Sequence, residues 1–596
     1  MKRREFLATA LALPALAQQK PHTFSYRGEQ FLLDGAPFLI RSGEMHYPRV
    51  PRPYWRDRMR KMRAMGLNTL CTYVFWNLHE PQQGKFDFSG NLDVAEYIRT
   101  AQSEGLYVLL RPGPYICTEW DFGGLPWWLL ATDMKVRSAD PRFLRAAALY
   151  MDRVGKQVAG LQIHRGGPIL MVQVENEYGS FGNDHEYMGA VRHMIQDAGF
   201  DCQLSTSDGS GKSNLAGGTL DGVLSTINFG DGSSPEREFA NLASFRRNEP
   251  KMCGEFWYGW FDHWGEKHHV TPAAKGAASV DWMLSNGISC NLYMAHGGST
   301  FGYMAGANGG NVYEPDISGY DYDAPIDEAG RPNAKFNAMR DVLRKHLAPG
   351  EQLPELPPAL PTISIPRFEL TESSPLLSHL PEVAHTGAPL SMEQLGQDYG
   401  FVLYRHHPVQ AARGTLEIGE VRDFAVVRGT TLDRRLHQNK LAVDLAPGQP
   451  LDILVEAMGR INFGPLLVSD RKGIAGGVTL NGAELKVWEH FSLPLTDPGQ
   501  WTFARKPAAG PSLYRGTFRL DAVGDTFLDM RGWGKGLVWI NGHNLGRYWR
   551  VGPQQSLFVP APWLKTGVNE AIVLDLLEAK TRTLESRTDP IYETPA

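Results

Sequence analysis

The sequence has no basic stretch that could hold a polyanion. Across its 596 residues, 60 Lys and Arg face 65 Asp and Glu, for a formal net charge of −5. A nucleic-acid partner therefore has no electrostatic footing and none is expected. Past the N-terminus no apolar run approaches the roughly 20 residues that span a bilayer, so no membrane span is expected. Five cysteines (Cys71, Cys117, Cys202, Cys253 and Cys290) form no CxxC pair, which removes a zinc site and a disulfide framework, and their odd number leaves at least one thiol unpaired. No GxGxxG or GxxxxGK[ST] follows the first strand candidate, so a nucleotide-binding sheet would lack its phosphate loop. The GxSxG elbow of a serine hydrolase is missing too, and SDGSGKS at 207–213 reads as a flexible loop. His263, His268 and His269 lack the HExxH spacing, and neither a metal nor a cofactor is expected.

The N-terminus has a grammar of its own. MKRREFLATALALPALAQQ opens on Lys2, Arg3 and Arg4, continues through an apolar stretch at 6–16 and ends in Ala15-Leu16-Ala17. Positive start, short apolar middle and A-x-A site are the layout of an export signal, and the paired arginines resemble the twin-arginine type. Residues 1–17 are accordingly expected to be a signal peptide, with a periplasmic or extracellular destination.

The remainder divides in two. Between residues 22 and 348, short apolar runs alternate with amphipathic stretches. The strand candidates are 38–47, 67–76, 107–115, 169–175, 203–207, 224–229, 252–257 and 290–296, and helical patterns fit 54–65, 92–104, 141–158 and 187–198. Eight strands joined by helical crossovers predict a parallel sheet. At this length the expected solution is a closed (β/α)8 TIM barrel, with an open doubly wound sheet as the competing arrangement. Polar and aromatic residues collect where the runs end: Glu44 and His46, Tyr73 and Trp76, Tyr115 and Glu119, Asn176 and Glu177, Glu255 and Trp257, Tyr293 and His296. A barrel brings those ends to one face, where catalytic groups gather. PGEQLPELPPALPTISI, 349–365, reads as a Pro-rich linker. Beyond it, short β-rich runs broken by Gly, Asp and Pro predict two all-β units, a sandwich over 366–480 and a jelly roll over 481–590.

Two carboxylates stand out. ILMVQVENEYGSFG (169–182) carries Glu175 and Glu177 past the fourth strand, and MCGEFWYGWFDHWG (252–265) carries Glu255 at the seventh. The ends of the fourth and seventh strands face each other across a barrel mouth. A pair of carboxyl groups so placed is the machinery of glycoside hydrolysis, one protonating the leaving oxygen and the other attacking the sugar or activating water. The tryptophans around them offer flat apolar faces on which a pyranose can stack, although many Trp simply fill a core. Spacing alone does not choose between Glu175 and Glu177, because on an ideal strand both point the same way.

These segments resemble glycoside hydrolase family 35 β-galactosidases. The matching stretches are LNTLCTYVFWNLHEPQQGKFDFSG, LYVLLRPGPYICTEWDFGGLPWWLL, GGPILMVQVENEYGSFG, GEFWYGWFDHWG, SGYDYDAPIDEAG and GWGKGLVWINGHNLGRYW, in order from about residue 25 to 580. The resemblance implies a retaining, exo-acting enzyme that removes terminal β-galactose from oligo- or polysaccharides. It implies Glu177 as general acid/base and Glu255 as nucleophile. Sugar contacts are implied at Tyr73, Ile116, Cys117, Thr118, Glu119, Asn176, Tyr293 and Tyr322, with Glu175 an inward support. The C-terminal unit is expected to be galactose-binding-like. At Thr118 the sequence departs from the family's ICAEW, which has Ala. Two readings compete with this one: another exo-β-glycosidase such as an exo-β-glucosaminidase, and a non-catalytic carbohydrate-binding protein. The sequence leaves the oligomeric state open.

Overall fold

The computed structural model describes residues 20–593 except Pro507 and Glu578, so the expected signal peptide lies outside the described residues. Eight parallel strands close into a barrel in sequence order. They are β1 (Arg41–Met45), β2 (Thr69–Tyr73), β3 (Tyr107–Arg111), β4 (Ile169–Gln173), β5 (Gln203–Gly209), β6 (Leu224–Gly230), β7 (Met252–Trp257) and β8 (Ser289–His296). Closure comes from β8 pairing with β1, Cys290 beside Arg41. The TIM barrel expected from the sequence is the observed fold. Strand β4 is buried at every residue, as a parallel strand covered on both faces must be.

Each strand is followed by a helix: α1 (Trp55–Met65), α2 (Val94–Ser103), α3 (Pro141–Val158), α4 (His185–Asp197), α5 (Lys212–Gly218), α6 (Pro235–Phe245), α7 (Ala273–Ser285) and α8 (Ala334–Lys345). Helix α3 shows why. Asp140 accepts the Arg142 N–H, Pro141 occupies the first turn, and Phe143, Ala147, Tyr150, Met151, Val154 and Val158 form the buried stripe. Helix α4 begins two residues before the expected 187 because the Asp184 side chain accepts the Tyr187 N–H.

The strands that face the site are shorter than expected. The runs 38–47, 67–76, 107–115 and 169–175 contain strands of five residues each, and β3 and β4 stop at Arg111 and Gln173. Pro112 and Pro114 have no N–H to give the ladder. After β4 the backbone turns left-handed at Glu175 (φ 57°) and Glu177 (φ 47°), which no ladder can follow. The polar groups therefore sit on loops just past the strand ends.

The C-terminal part is all-β. A six-stranded and a four-stranded sheet enclose a core that includes Val402, Tyr404, Ile418, Val455, Val478 and Trp488. A five-stranded and a three-stranded sheet enclose another, with Ile365, Tyr514, Leu528, Trp533 and Val538. Two strands cross the expected boundaries. Trp488–Leu493, expected in the unit beginning at 481, pairs with Phe401–His406. Glu372–Pro375, expected in the unit beginning at 366, pairs with Ser512–Leu520. Such partners lie more than 80 residues apart in the chain, and local turn signals carry no information about them.

The first of these β-units reaches the barrel mouth. Arg460 enters the barrel's loops, its N–H and guanidinium both bonded to Asp121 at 2.6 and 2.8 Å. The Asn462 carbonyl accepts the Tyr115 hydroxyl at 2.6 Å. Among the described residues no helix is long and apolar enough to cross a membrane.

Candidate active site

The C-terminal ends of the barrel strands surround a cavity of about 200 Å³. All ten residues singled out from the sequence line it: Tyr73, Ile116, Cys117, Thr118, Glu119, Asn176, Glu177, Glu255, Tyr293 and Tyr322. The rest of the lining is Trp257, Trp260, Phe261, Asn308 and Phe463. Phe463 comes from the first β-unit, and no periodicity in the barrel sequence could have announced it.

Glu255 lies in β7, two residues before its end, and is held from three sides. Tyr73 Oη donates to its Oε1 at 2.9 Å, Arg111 Nη2 to the same oxygen at 2.5 Å, and Trp257 Nε1 to Oε2 at 2.9 Å. The Arg111 guanidinium is itself pinned, with Nη1 on Glu44 Oε2 at 2.9 Å and Nε on Gln173 Oε1 at 2.8 Å. Its Nη2 also reaches Asn176 Oδ1 at 2.9 Å, which Tyr73 Oη shares at 2.9 Å. One buried arginine thus fixes the geometry of both Glu255 and Asn176. Sequence reading missed Arg111 because RPGPY reads as a strand end and a turn, with no partner in view.

Glu177 is held differently. Among the described residues its one bonded side-chain donor is Asn228 Nδ2, 3.0 Å from Oε1. Asn228 is in turn oriented by the Ser207 hydroxyl, which donates to its Oδ1 at 2.6 Å. Burial lifts the Glu177 carboxyl to about 8, the Glu255 charge adds to the rise, and the Asn228 amide opposes it.

Glu175 does not enter the cavity. Its two oxygens take a bidentate contact from Arg137, at 2.8 and 2.9 Å, and Oε1 also accepts the Tyr187 hydroxyl at 3.1 Å. Arg137 Nη2 continues to the Asn176 carbonyl at 2.8 Å. On an ideal strand the two glutamates would share a face. The left-handed backbone separates them, so that Glu175 braces the loop from behind while Glu177 faces the cavity.

The opposite wall is the loop after β3. Cys117, Thr118 and Glu119 all have positive φ, at 59°, 55° and 50°, a run that costs of order 1–3 kcal/mol per residue and persists only where its surroundings enforce it. Arg49 provides much of that enforcement. Its Nη2 donates to the Thr118 carbonyl at 2.5 Å, and its guanidinium stacks 3.7 Å from the centre of the Tyr320 ring. Among the described residues the buried Thr118 hydroxyl has no hydrogen-bond partner. Glu119 accepts the Tyr320 hydroxyl, and burial lifts its carboxyl to about 7 against the pull of Tyr320 and Arg49.

The histidines flagged by sequence have other partners. His268 and His269 both hydrogen-bond Asp262, at 2.7 and 2.9 Å, and His263 bonds Glu266 at 3.0 Å. All five cysteines are free.

Carboxyl groups facing a cavity walled by tryptophan, tyrosine and hydroxyl-binding polar groups suit the cleavage of a glycosidic bond. Known proteins agree. Residues 30–346 match the family described as Glycosyl hydrolases family 35. Residues 389–494 match the "Beta-galactosidase, first all-beta domain" and residues 511–569 the "Beta-galactosidase, galactose-binding domain". A beta-galactosidase of Xanthomonas manihotis is 48% identical over 570 residues, 93% of this chain and 94% of that protein. The Homo sapiens beta-galactosidase-1-like protein 2 is 41% identical, covering 92% and 89% of the two chains. The Bos taurus beta-galactosidase is 38% identical, covering 97% and 95%. The chain is a glycoside hydrolase and belongs to glycosyl hydrolases family 35.

Proposed function

We propose that the chain is an exo-acting, retaining β-galactosidase that removes terminal non-reducing β-D-galactose from oligo- or polysaccharides. The contrast between the two glutamates carries this reading. Glu177, buried beside Glu255 and lifted to about 8, is protonated at neutral pH and suited to give its proton to the glycosidic oxygen. Glu255, with both oxygens accepting from fixed donors, is oriented as the group that attacks C1.

In the first step a Glu255 oxygen bonds to C1 as the C1–O bond breaks, and the aglycone leaves with the Glu177 proton. In the second, ionised Glu177 takes a proton from water, the hydroxide bonds to C1, and the ester to Glu255 breaks with its electrons returning to the carboxylate. Asn176, held by Arg111 and Tyr73, is suited to bond a ring hydroxyl, as is Glu119. Both contacts would tighten as charge develops on the sugar. The aglycone would leave past Trp260 and Phe463, which are 38% and 40% exposed at the mouth. Residues 1–17 would direct export beforehand.

The test is a panel of nitrophenyl glycosides, with the released sugar's anomer followed by proton NMR. The β-galactoside should turn over and β-galactose appear first. Preference for another β-glycoside, β-glucosaminide included, would overturn the sugar, and α-galactose as first product would overturn the retaining mechanism.

A further inference from the structure

Asp208, near the end of β5, faces the backbone of the acid/base loop rather than the sugar. It is 1% exposed. Its Oδ1 accepts the Gly179 N–H at 2.9 Å, while the carbonyl of adjacent Ser207 accepts the Glu177 N–H at 3.0 Å. Two bonds from consecutive residues of β5 thus bracket Glu177 in its left-handed conformation.

The space around them is closed. A Cβ on Gly179 would lie 1.9 Å from the Asn214 carbonyl oxygen, and one on Gly218 would lie 1.9 Å from Asp208 Oδ1. Glycine at both positions lets the loop, helix α5 and this carboxyl group share the volume. The chemistry described above makes no use of Asp208, whose burial penalises its charged form.

We propose that Asp208 is a positioning residue for the acid/base. Its carboxyl group holds the Gly179 N–H and, through it, the turn at Glu177, and its negative charge opposes loss of the Glu177 proton. The inference rests on the reading of Glu177 as acid/base. Of the charged groups facing Asp208, Glu175 raises its proton affinity and Arg137 lowers it. Burial is the largest influence and brings it to about 7, against the Gly179 N–H. At Glu177 burial again leads, followed by Glu255, with Asp208 adding to the rise and Asn228 and Arg111 opposing it. As the pH passes through 7 and Asp208 ionises, its charge works against ionisation of its neighbour. The acid stays protonated to higher pH than it otherwise would.

The test is the pH profile of kcat/KM for Asp208→Asn, which keeps an acceptor for Gly179 and removes the charge. The alkaline limb should move to lower pH by about half a unit or more, the acid limb should stay, and KM should change little. Asp208→Ala should in addition lower kcat at least about tenfold on a galactoside with a poor leaving group, through misplacement of Glu177. If the Asn variant fails to fold, Asp208→Ser offers an acceptor without charge and carries the same expectation. An alkaline limb coincident with that of the parent enzyme would overturn the proposal. Glu177→Ala with added azide separates the two readings. Formation of β-galactosyl azide keeps Glu177 as acid/base, and an unmoved limb in Asp208→Asn then sinks the Asp208 inference alone. With no azide product the acid/base reading fails first.

Discussion

The two strand ends that supply the carboxyl groups are built on opposite plans. Near the end of β7, Glu255 stays within the strand, at a shift in register against both neighbours, and is clamped by Tyr73, Arg111 and Trp257. At the end of β4 the chain leaves its strand early, turns left-handed twice, and presents Glu177 with, among the described residues, one bonded side-chain donor, Asn228. A nucleophile must stay ionised and keep one orientation, which fixed donors provide. An acid/base must hold its proton in one step and lose it in the next, which calls for burial and few donors. On the proposed mechanism, the difference in wiring is a difference in task.

The largest way to break this contrast is at the clamp. Glu255→Gln keeps the volume and replaces the attacking carboxylate with a poorly nucleophilic amide. It should lower kcat by at least about 10⁵-fold, as loss of a nucleophile does elsewhere, measured on nitrophenyl β-galactoside. Glu177→Ala should cost about 10²- to 10⁴-fold on a substrate with a poor leaving group and far less on a dinitrophenyl galactoside, whose departure needs no proton. Equal losses on both substrates would remove Glu177 from the acid role. Glu175→Gln acts on stability. It leaves the Arg137 guanidinium, 2% exposed, without its anionic partner, and breaking such a pair costs about 3–5 kcal/mol. A lower urea midpoint would register that cost. The smallest effect expected is a shift of one limb. Asn228→Ala removes the donor that favours ionised Glu177, so the alkaline limb of kcat/KM should move to higher pH, opposite in sign to Asp208→Asn.

Much of the barrel was legible because its physics is local. Apolar runs of strand length, Asp140-Pro141 before an amphipathic stretch, and polar residues at the ends of runs all follow from the sequence within a few positions. Glu255 was legible for the same reason, since it lies near the end of such a run. The choice between Glu175 and Glu177 was not, because period-two spacing assumes an extended backbone and the chain abandons it after Gln173. That choice came from the family resemblance; in the structure Glu175 pairs with Arg137 and Glu177 lines the cavity. Arg111, Asn228 and Asp208 act through partners elsewhere in the barrel, 21 to 144 residues away where they bond. Nothing near them in the sequence marks such a role. Phe463 belongs to a unit whose strand partners could not be read from turn signals at all.

The measurement that bears most directly on the division of labour is trapping of the covalent intermediate. The enzyme would be treated with a 2-deoxy-2-fluoro-β-galactosyl fluoride, digested, and the labelled residue located by mass spectrometry. The account predicts a single galactosyl ester on Glu255, in the GEFW segment. A label on Glu177, or turnover without any trapped ester and with inverted product, would contradict it.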